Sequence, residues 1–188
     1  MAIYISLGSD CSVSYNLRAL NLQSVGSMPF DWMKLTNISN LIDILANDFN
    51  DFVNIDSYDS KEQHNVFDYI DGNMTGIKSL VKLVHKRYKF TLPHEYSEYE
   101  INIIDFVEKY SRRIEKFKDI VKNDFYRKVF VRLGNTKDEK EISNLDKVLH
   151  EYGCVNYELR FVNCDKYSCD GGVYSWKRDY IPWASCLL

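Results

Sequence analysis

The chain has 188 residues, with 24 lysines and arginines against 27 aspartates and glutamates, a net charge of −3 and a pI of about 5.8. That length suits one domain, 1–188, able to bury a core without metal or disulfide support, and the charge balance provides no global positive field for nucleic acid or an anionic membrane. No stretch approaches the ~18 apolar residues of a membrane span, and the opening MAIYISLG has neither a basic n-region nor a long apolar run, so a soluble, intracellular protein is expected.

Residues 2–7 form a short apolar run that ends at Gly8, the pattern of a buried first strand. A helix is expected over 11–20, with Val13, Leu17 and Leu20 on one stripe and Ser9 or Asp10 as N-cap. Gly26 and Pro29 punctuate a turn through Phe30-Asp31-Trp32. Thr36 or Asn37 then caps a second helix whose apolar positions, from Ile38 to Phe52, carry it to about Val53. Residues 54–76 are polar and without sustained period, which reads as a long loop with at most one short strand. A short helix over 77–90 is expected to lead into a strand at Lys89–Leu92, closed by Pro93-His94.

Ser97-x-x-Glu100 has the form of a capping box, and the apolar repeat from Ile101 to Val121 marks a long helix behind it. KVFVRL at 128–133 reads as a buried strand ended by Gly134-Asn135, followed by a helix over 138–150 that stops at Gly153, and YELRFV at 157–162 as the next strand. Strand, helix and strand in so few residues favour a parallel pair. The tail at 171–183 reads as a hairpin or edge strand. The fold class expected is therefore α/β: a small central sheet with flanking helices.

Cys11 stands at the junction of the first strand and first helix. A thiol there meets the positive end of the helix dipole and open N–H groups, which lower its pKa, while the amides of Gly8, Ser9, Asp10, Cys11 and Ser12 are placed to hold an oxyanion. The structural alternative is a small buried hydrophobe under the helix. A thiolate nucleophile wants an imidazole base. Among His64, His85, His94 and His150, position favours His94, behind a strand end, with His64 second and the other two among lysines or at a helix end. Asp31, in a turn between Phe30 and Trp32, or Glu95 beside His94, is the candidate acid; for Asp31 the structural alternative is a turn or cap role.

The five cysteines, at 11, 154, 164, 169 and 186, are odd in number and fit reduced thiols. His150, Cys154, Cys164 and Cys169 lack the close pairs of a zinc knuckle, so no metal is expected. There is no P-loop, dinucleotide fingerprint or H-E-x-x-H, and no cofactor is expected. Arg112, Arg113 and Lys116 read as a solvated helix face that can reach back to an acid or a substrate cleft.

Ser6-Leu7-Gly8-Ser9-Asp10-Cys11 with Leu17-Arg18, Pro29-Phe30-Asp31-Trp32, Pro93-His94-Glu95-Tyr96, Lys109–Ile114 and Phe130-Val131-Arg132, in this order, resemble a family of unknown function described as papain-like cysteine peptidases of bacteria and large DNA viruses. The resemblance spans about residues 3 to 163. It implies a Cys–His hydrolase, a peptidase, amidase or acyl transferase, with Cys11 as nucleophile, His94 as base and Asp31 as orienting acid; Glu95-Tyr96 depart from the expected Asp-Phe, and Glu95 or Asn163 are the alternatives to Asp31. Trp32 joins the cleft. Substrates implied are peptides, amides or acyl groups, and the compartment is the cytoplasm, that of the host if the protein is viral. Papain-like enzymes set the cysteine helix against an antiparallel sheet, whereas the strand–helix–strand pattern here points to an open parallel one. The rival expectation is a catalytically silent interaction protein that binds a host component through the same cleft, with Trp32, Trp176, Trp183 and the tail tyrosines as partner surface.

Overall fold

The computed structural model describes residues 2–70, 73–97, 102–134, 138–163 and 181–188, with side chains described for all of these except 60–70, 73–81 and 94–97. Two three-stranded sheets organise it. The first, in the order β1-β5-β6, is parallel throughout: β1 (Ala2–Ser6) pairs with β5 (Arg127–Leu133), which pairs with β6 (Tyr157–Val162). Central strand β5 is buried from Lys128 onward, as expected of a strand covered on both faces. Val129, Val131 and Leu133 point to one face and pack with Val13 and Leu17 of α1 (Cys11–Ala19) and with Trp183 and Leu187 of α5 (Trp183–Leu187). Phe130 points to the other face, where it joins Ile3 and Ile5 of β1 and the buried sides of α2 (Ile38–Ala46), α3 (Ile103–Lys122) and α4 (Glu139–Glu151). The result is an α/β layering in which the helix that starts with Cys11 rests on a parallel sheet.

The second sheet, in the order β2-β3-β4, is antiparallel, built from β2 (Tyr58–Ile70), β3 (Asn73–His85) and β4 (Thr91–Ser97). This corrects the expected loop at 54–76 and the expected short helix at 77–90. Ile70 pairs with Asn73 across Asp71-Gly72, a dipeptide that favours tight hairpins. The strand expected at 89–92 is also longer. Pro93 and His94 lie inside β4 rather than closing it, as the edge position of this strand in its sheet permits. β3 and β4 lose register between Val81–Tyr96 and Leu83–Leu92, so Pro93, His94 and Glu95 occupy an irregularity opposite Lys82.

The helices follow their caps. Asp10, Asn37, Asn102 and Asp138 each accept a hydrogen bond from an amide of the first turn. Asn102 caps α3, in place of the Ser97 expected; Ser97 ends β4, and residues 98–101 lie outside the described set. α2 stops at Ala46 rather than near Val53, because Asp48, Phe49 and Asp51 take positive φ. Phe49 and Phe52 are still buried, the latter stacked on Phe90 with ring centroids 4.9 Å apart. α4 ends at Glu151, and Gly153 just beyond its C-cap Tyr152 has a φ of +90° that suits a glycine stop. No helix among the described residues is long and apolar enough to cross a membrane. Of the hairpin or edge strand expected at 171–183, residues 171–180, with Trp176, fall outside the described residues, as do Cys164 and Cys169, while Trp183 begins α5.

Candidate active site

Cys11 is the first residue of α1, at the C-terminal edge of the parallel sheet, and is 8% exposed. The turn that delivers it takes two successive left-handed residues, Gly8 at φ +76° and Ser9 at φ +88°. Glycine tolerates this freely; a serine there is strained and is held by its surroundings. The holding contacts are visible. Gly8 N donates to Ser6 Oγ at 3.1 Å, and Leu35 N donates to the Ser9 carbonyl at 3.1 Å. Asp10 caps the helix by accepting from Ser12 N at 2.9 Å, and also from Ser12 Oγ. The amides of Gly8 and Ser12, both expected to serve an oxyanion, are thus hydrogen bonded within the turn itself.

The Pro29-Phe30-Asp31-Trp32 block lies against the same turn and helix. A Cβ on Gly8 would sit 3.5 Å from the Phe30 carbonyl oxygen, and Ser14, one helical turn beyond Cys11, donates its hydroxyl to the Asp31 carbonyl at 2.7 Å. Trp32 is half-buried with the Arg18 guanidinium 4.9 Å from its ring centroid. The Asp31 carboxyl is fully buried. Its Oδ2 accepts from Gln23 Nε2 at 2.7 Å and Met28 N at 2.8 Å and lies 3.5 Å from Arg18 Nη2, whereas Oδ1 has no hydrogen-bond partner among the described residues. Burial raises the Asp31 pKa above the usual carboxylate value, against the Met28, Gln23 and Arg18 contacts that lower it. The contacts of Oδ2 therefore tie the 23–28 segment to the far end of α1 and brace the turn there.

His94 belongs to β4, and its side chain, like those of Glu95 and Tyr96, lies outside those described. The backbone relates its strand to Cys11. Lys34 and Thr91 exchange hydrogen bonds of 2.8 and 2.9 Å, while the next residue, Leu35, bonds Ser9 on the other side. Lys34–Leu35 thus lies between the start of β4 and the Cys11 turn, placing them two strand spacings, about 10 Å, apart.

The remaining histidines separate clearly where they are described. His85 is fully buried: its Nδ1 accepts from the amides of Arg87 and Tyr88 at 3.2 Å each, its Nε2 lies 3.3 Å from the Asp51 carbonyl, and burial lowers its pKa. That is a core histidine held neutral. His150 is exposed near the end of α4, and the side chain of His64 in β2 is outside those described. Cys154 is fully buried, and burial pushes its thiol up to about 11, the opposite of a nucleophile's environment. Sequence reasoning did not single out two buried cations of β5, Lys128 and Arg132. Arg132 is 3% exposed on β5, and with Gly134, Thr36, Asp138 and Glu141 it borders a cavity of about 390 Å³ between the starts of α2 and α4. Its advance signs were its place in the Phe130-Val131-Arg132 block and a basic residue at the end of a largely apolar run.

An α/β protein with a cysteine at the strand-to-helix turn after its first strand, and a histidine on a sheet strand tethered to that turn, is the class these elements define. Residues 2–167 match the family described as "Putative papain-like cysteine peptidase (DUF1796)", and the chain belongs to it. It is similar to "Uncharacterized protein R408" of Acanthamoeba polyphaga mimivirus, at 26% identity over 220 residues covering 99% of this chain and 97% of that protein. No solved structure matches the chain.

Proposed function

We propose that the protein is a thiol hydrolase or acyl transferase that uses Cys11 as nucleophile and His94 as general base. The observation that carries this reading is the Lys34–Leu35 tether, which hydrogen bonds the Cys11 turn on one side and the His94 strand on the other. In the reaction, His94 takes the thiol proton and Cys11 Sγ attacks the substrate carbonyl. The oxyanion is met by the Ser9 amide, in the strained turn, and by the positive end of α1. Collapse expels the amine or alcohol leaving group with the proton from His94 and leaves a thioester on Cys11. Water, or a second acyl acceptor, then gives its proton to His94 and attacks the thioester; the acyl product leaves and the thiol is reprotonated. Asp31 supports the site as a brace of the turn against α1, with Oδ2 already committed.

The burial of Cys11, 8% exposed, is the observation that favours the rival reading of a binding protein with the same cleft. One experiment divides them. The full chain is incubated with a panel of activated acyl esters and peptide-like amides, and intact mass is followed in wild type and Cys11→Ala. The proposal expects an acyl adduct on Cys11 that hydroxylamine removes and that Cys11→Ala lacks. An adduct level unchanged by Cys11→Ala, or none on any acyl donor, sinks it in favour of binding.

A further inference from the structure

Arg132 lies on the same face of β5 as Lys128 and Phe130, and its guanidinium makes three main-chain contacts. Nη1 donates to the Leu7 carbonyl at 2.8 Å, and Nη2 donates to the carbonyls of Leu35 at 2.7 Å and Thr36 at 2.9 Å. Among the described residues no carboxylate forms an ion pair with it; Glu141 acts at longer range. Burial pushes its pKa down to about 10, a sign of how poorly the charge is solvated. Burying a guanidinium is costly, and its hydrogen bonds to the three carbonyls are what offset that cost.

The three carbonyls flank the Cys11 turn. Leu7 is the residue before Gly8, and Leu35 is the residue whose N–H holds the Ser9 carbonyl. Carbonyl oxygens aimed at one point repel one another unless a cation with several donors sits between them, and the planar guanidinium, with five N–H groups in a fixed fork, meets all three at once. We infer that Arg132 is a positioning residue for Cys11: by clamping Leu7 on one side and Leu35–Thr36 on the other, it holds the left-handed Gly8–Ser9 turn in the conformation that aims the thiol and the Ser9 amide at a substrate. It acts through the turn. The inference rests on the reading of Cys11 as nucleophile.

The test compares the full chain as wild type, Arg132→Lys and Arg132→Met, each shown by circular dichroism to be folded at the assay temperature. The rate of iodoacetamide modification is followed against pH, with the modified cysteine located by peptide mass. Cys186, partly exposed on α5, is the internal control. The inference expects Cys11 to react at least tenfold more slowly at pH 7 in Arg132→Met, with its inflection moved to higher pH. Arg132→Lys, which keeps the charge but loses the fork, should fall between, with Cys186 unchanged in all three. A merely structural role would lower Tm and leave the Cys11 pH profile where it was. If Arg132→Met does not fold, the Lys variant decides, by a severalfold loss at Cys11 or none. A Cys11 rate equal to or above wild type in a folded variant overturns the role of Arg132 alone. A wild-type Cys11 no faster than Cys186 overturns the nucleophile reading, and this inference with it.

Discussion

Replacing Asp31 distinguishes a brace from a catalytic acid. In Asp31→Ala the Met28 N–H, buried and bonded at 2.8 Å to Oδ2, loses its acceptor, while half-buried Gln23 and exposed Arg18 can turn toward water. An unsatisfied buried donor costs about 1–3 kcal/mol and the vacated volume about 1 kcal/mol more. A loss of about 3 kcal/mol is expected, which for a chain of this size lowers Tm by about 6–12 °C. Asp31→Asn keeps one oxygen to accept from Met28 and Gln23 and exchanges the unpartnered Oδ1 for an unpartnered NH2 group, so near pH 7 it should remain within about 1 kcal/mol of wild type. The pH dependence supplies the sign. Because burial raises the folded-state pKa, Asp31 favours folding most below its unfolded value of 3.8, and that contribution is lost as pH rises through the folded pKa. The stability of Asp31→Asn relative to wild type should therefore increase with pH across that window and then level off. Urea unfolding followed by tryptophan fluorescence from pH 3.5 to 8 measures all three proteins. Equal destabilisation by Ala and Asn, or no destabilisation by either, refutes the brace; loss of acyl-enzyme formation in a fully stable Asp31→Asn makes the residue an orienting acid instead.

The strained turn predicts an asymmetry between neighbours. Gly8→Ala should lose about 1–2 kcal/mol from the left-handed backbone alone, since its Cβ meets only ordinary contacts at 3.5 and 3.6 Å, whereas Ser9→Gly should change stability by less than about 1 kcal/mol, strain relief being offset by chain entropy; equal effects in denaturant melts contradict the conformations of the two. His85, neutral in the core, contributes stability that is present above its unfolded value of 6.5 and is lost as pH falls below it, so His85→Gln should flatten the wild-type decline in unfolding free energy between pH 7 and 5; an unchanged slope rules out that burial. Cys154, with its thiol at about 11, should resist iodoacetamide at pH 8 until urea unfolds the chain, and labelling in the native state would show that it is not enclosed.

Elements whose burial has one period and whose ends carry a side-chain cap were legible. α1 and α4 follow the caps Asp10 and Asp138, and β6 runs over the six residues its apolar pattern marks. α2 was overextended because Phe49 and Phe52 keep the helical spacing while reaching the core from a turn with positive φ. The β2–β3 hairpin was missed because its polar residues hide any alternation, although Asp71-Gly72 was a hairpin signal. The Ser97-x-x-Glu100 pattern was outcompeted by Asn102, four positions before the first buried residue of α3, Phe106. At the site, the strand-to-helix junction at Cys11 followed from the glycine and helix-start rules. The Arg132 clamp did not, because three carbonyls from separate segments meet there and no local pattern encodes a meeting of distant backbone groups.

The central claim is the pairing of Cys11 with His94, and the pH–rate profile of Cys11 alkylation in wild type and His94→Ala tests it most directly. A thiol paired with an imidazole reacts as its thiolate well below the ordinary thiol pKa of about 8.5. Wild type should show that low inflection at Cys11, and His94→Ala should lose it and react only as pH approaches the ordinary thiol range, with Cys186 the same in both. Identical Cys11 profiles in the two proteins, or an inflection near 8.5 in wild type, would contradict the pairing.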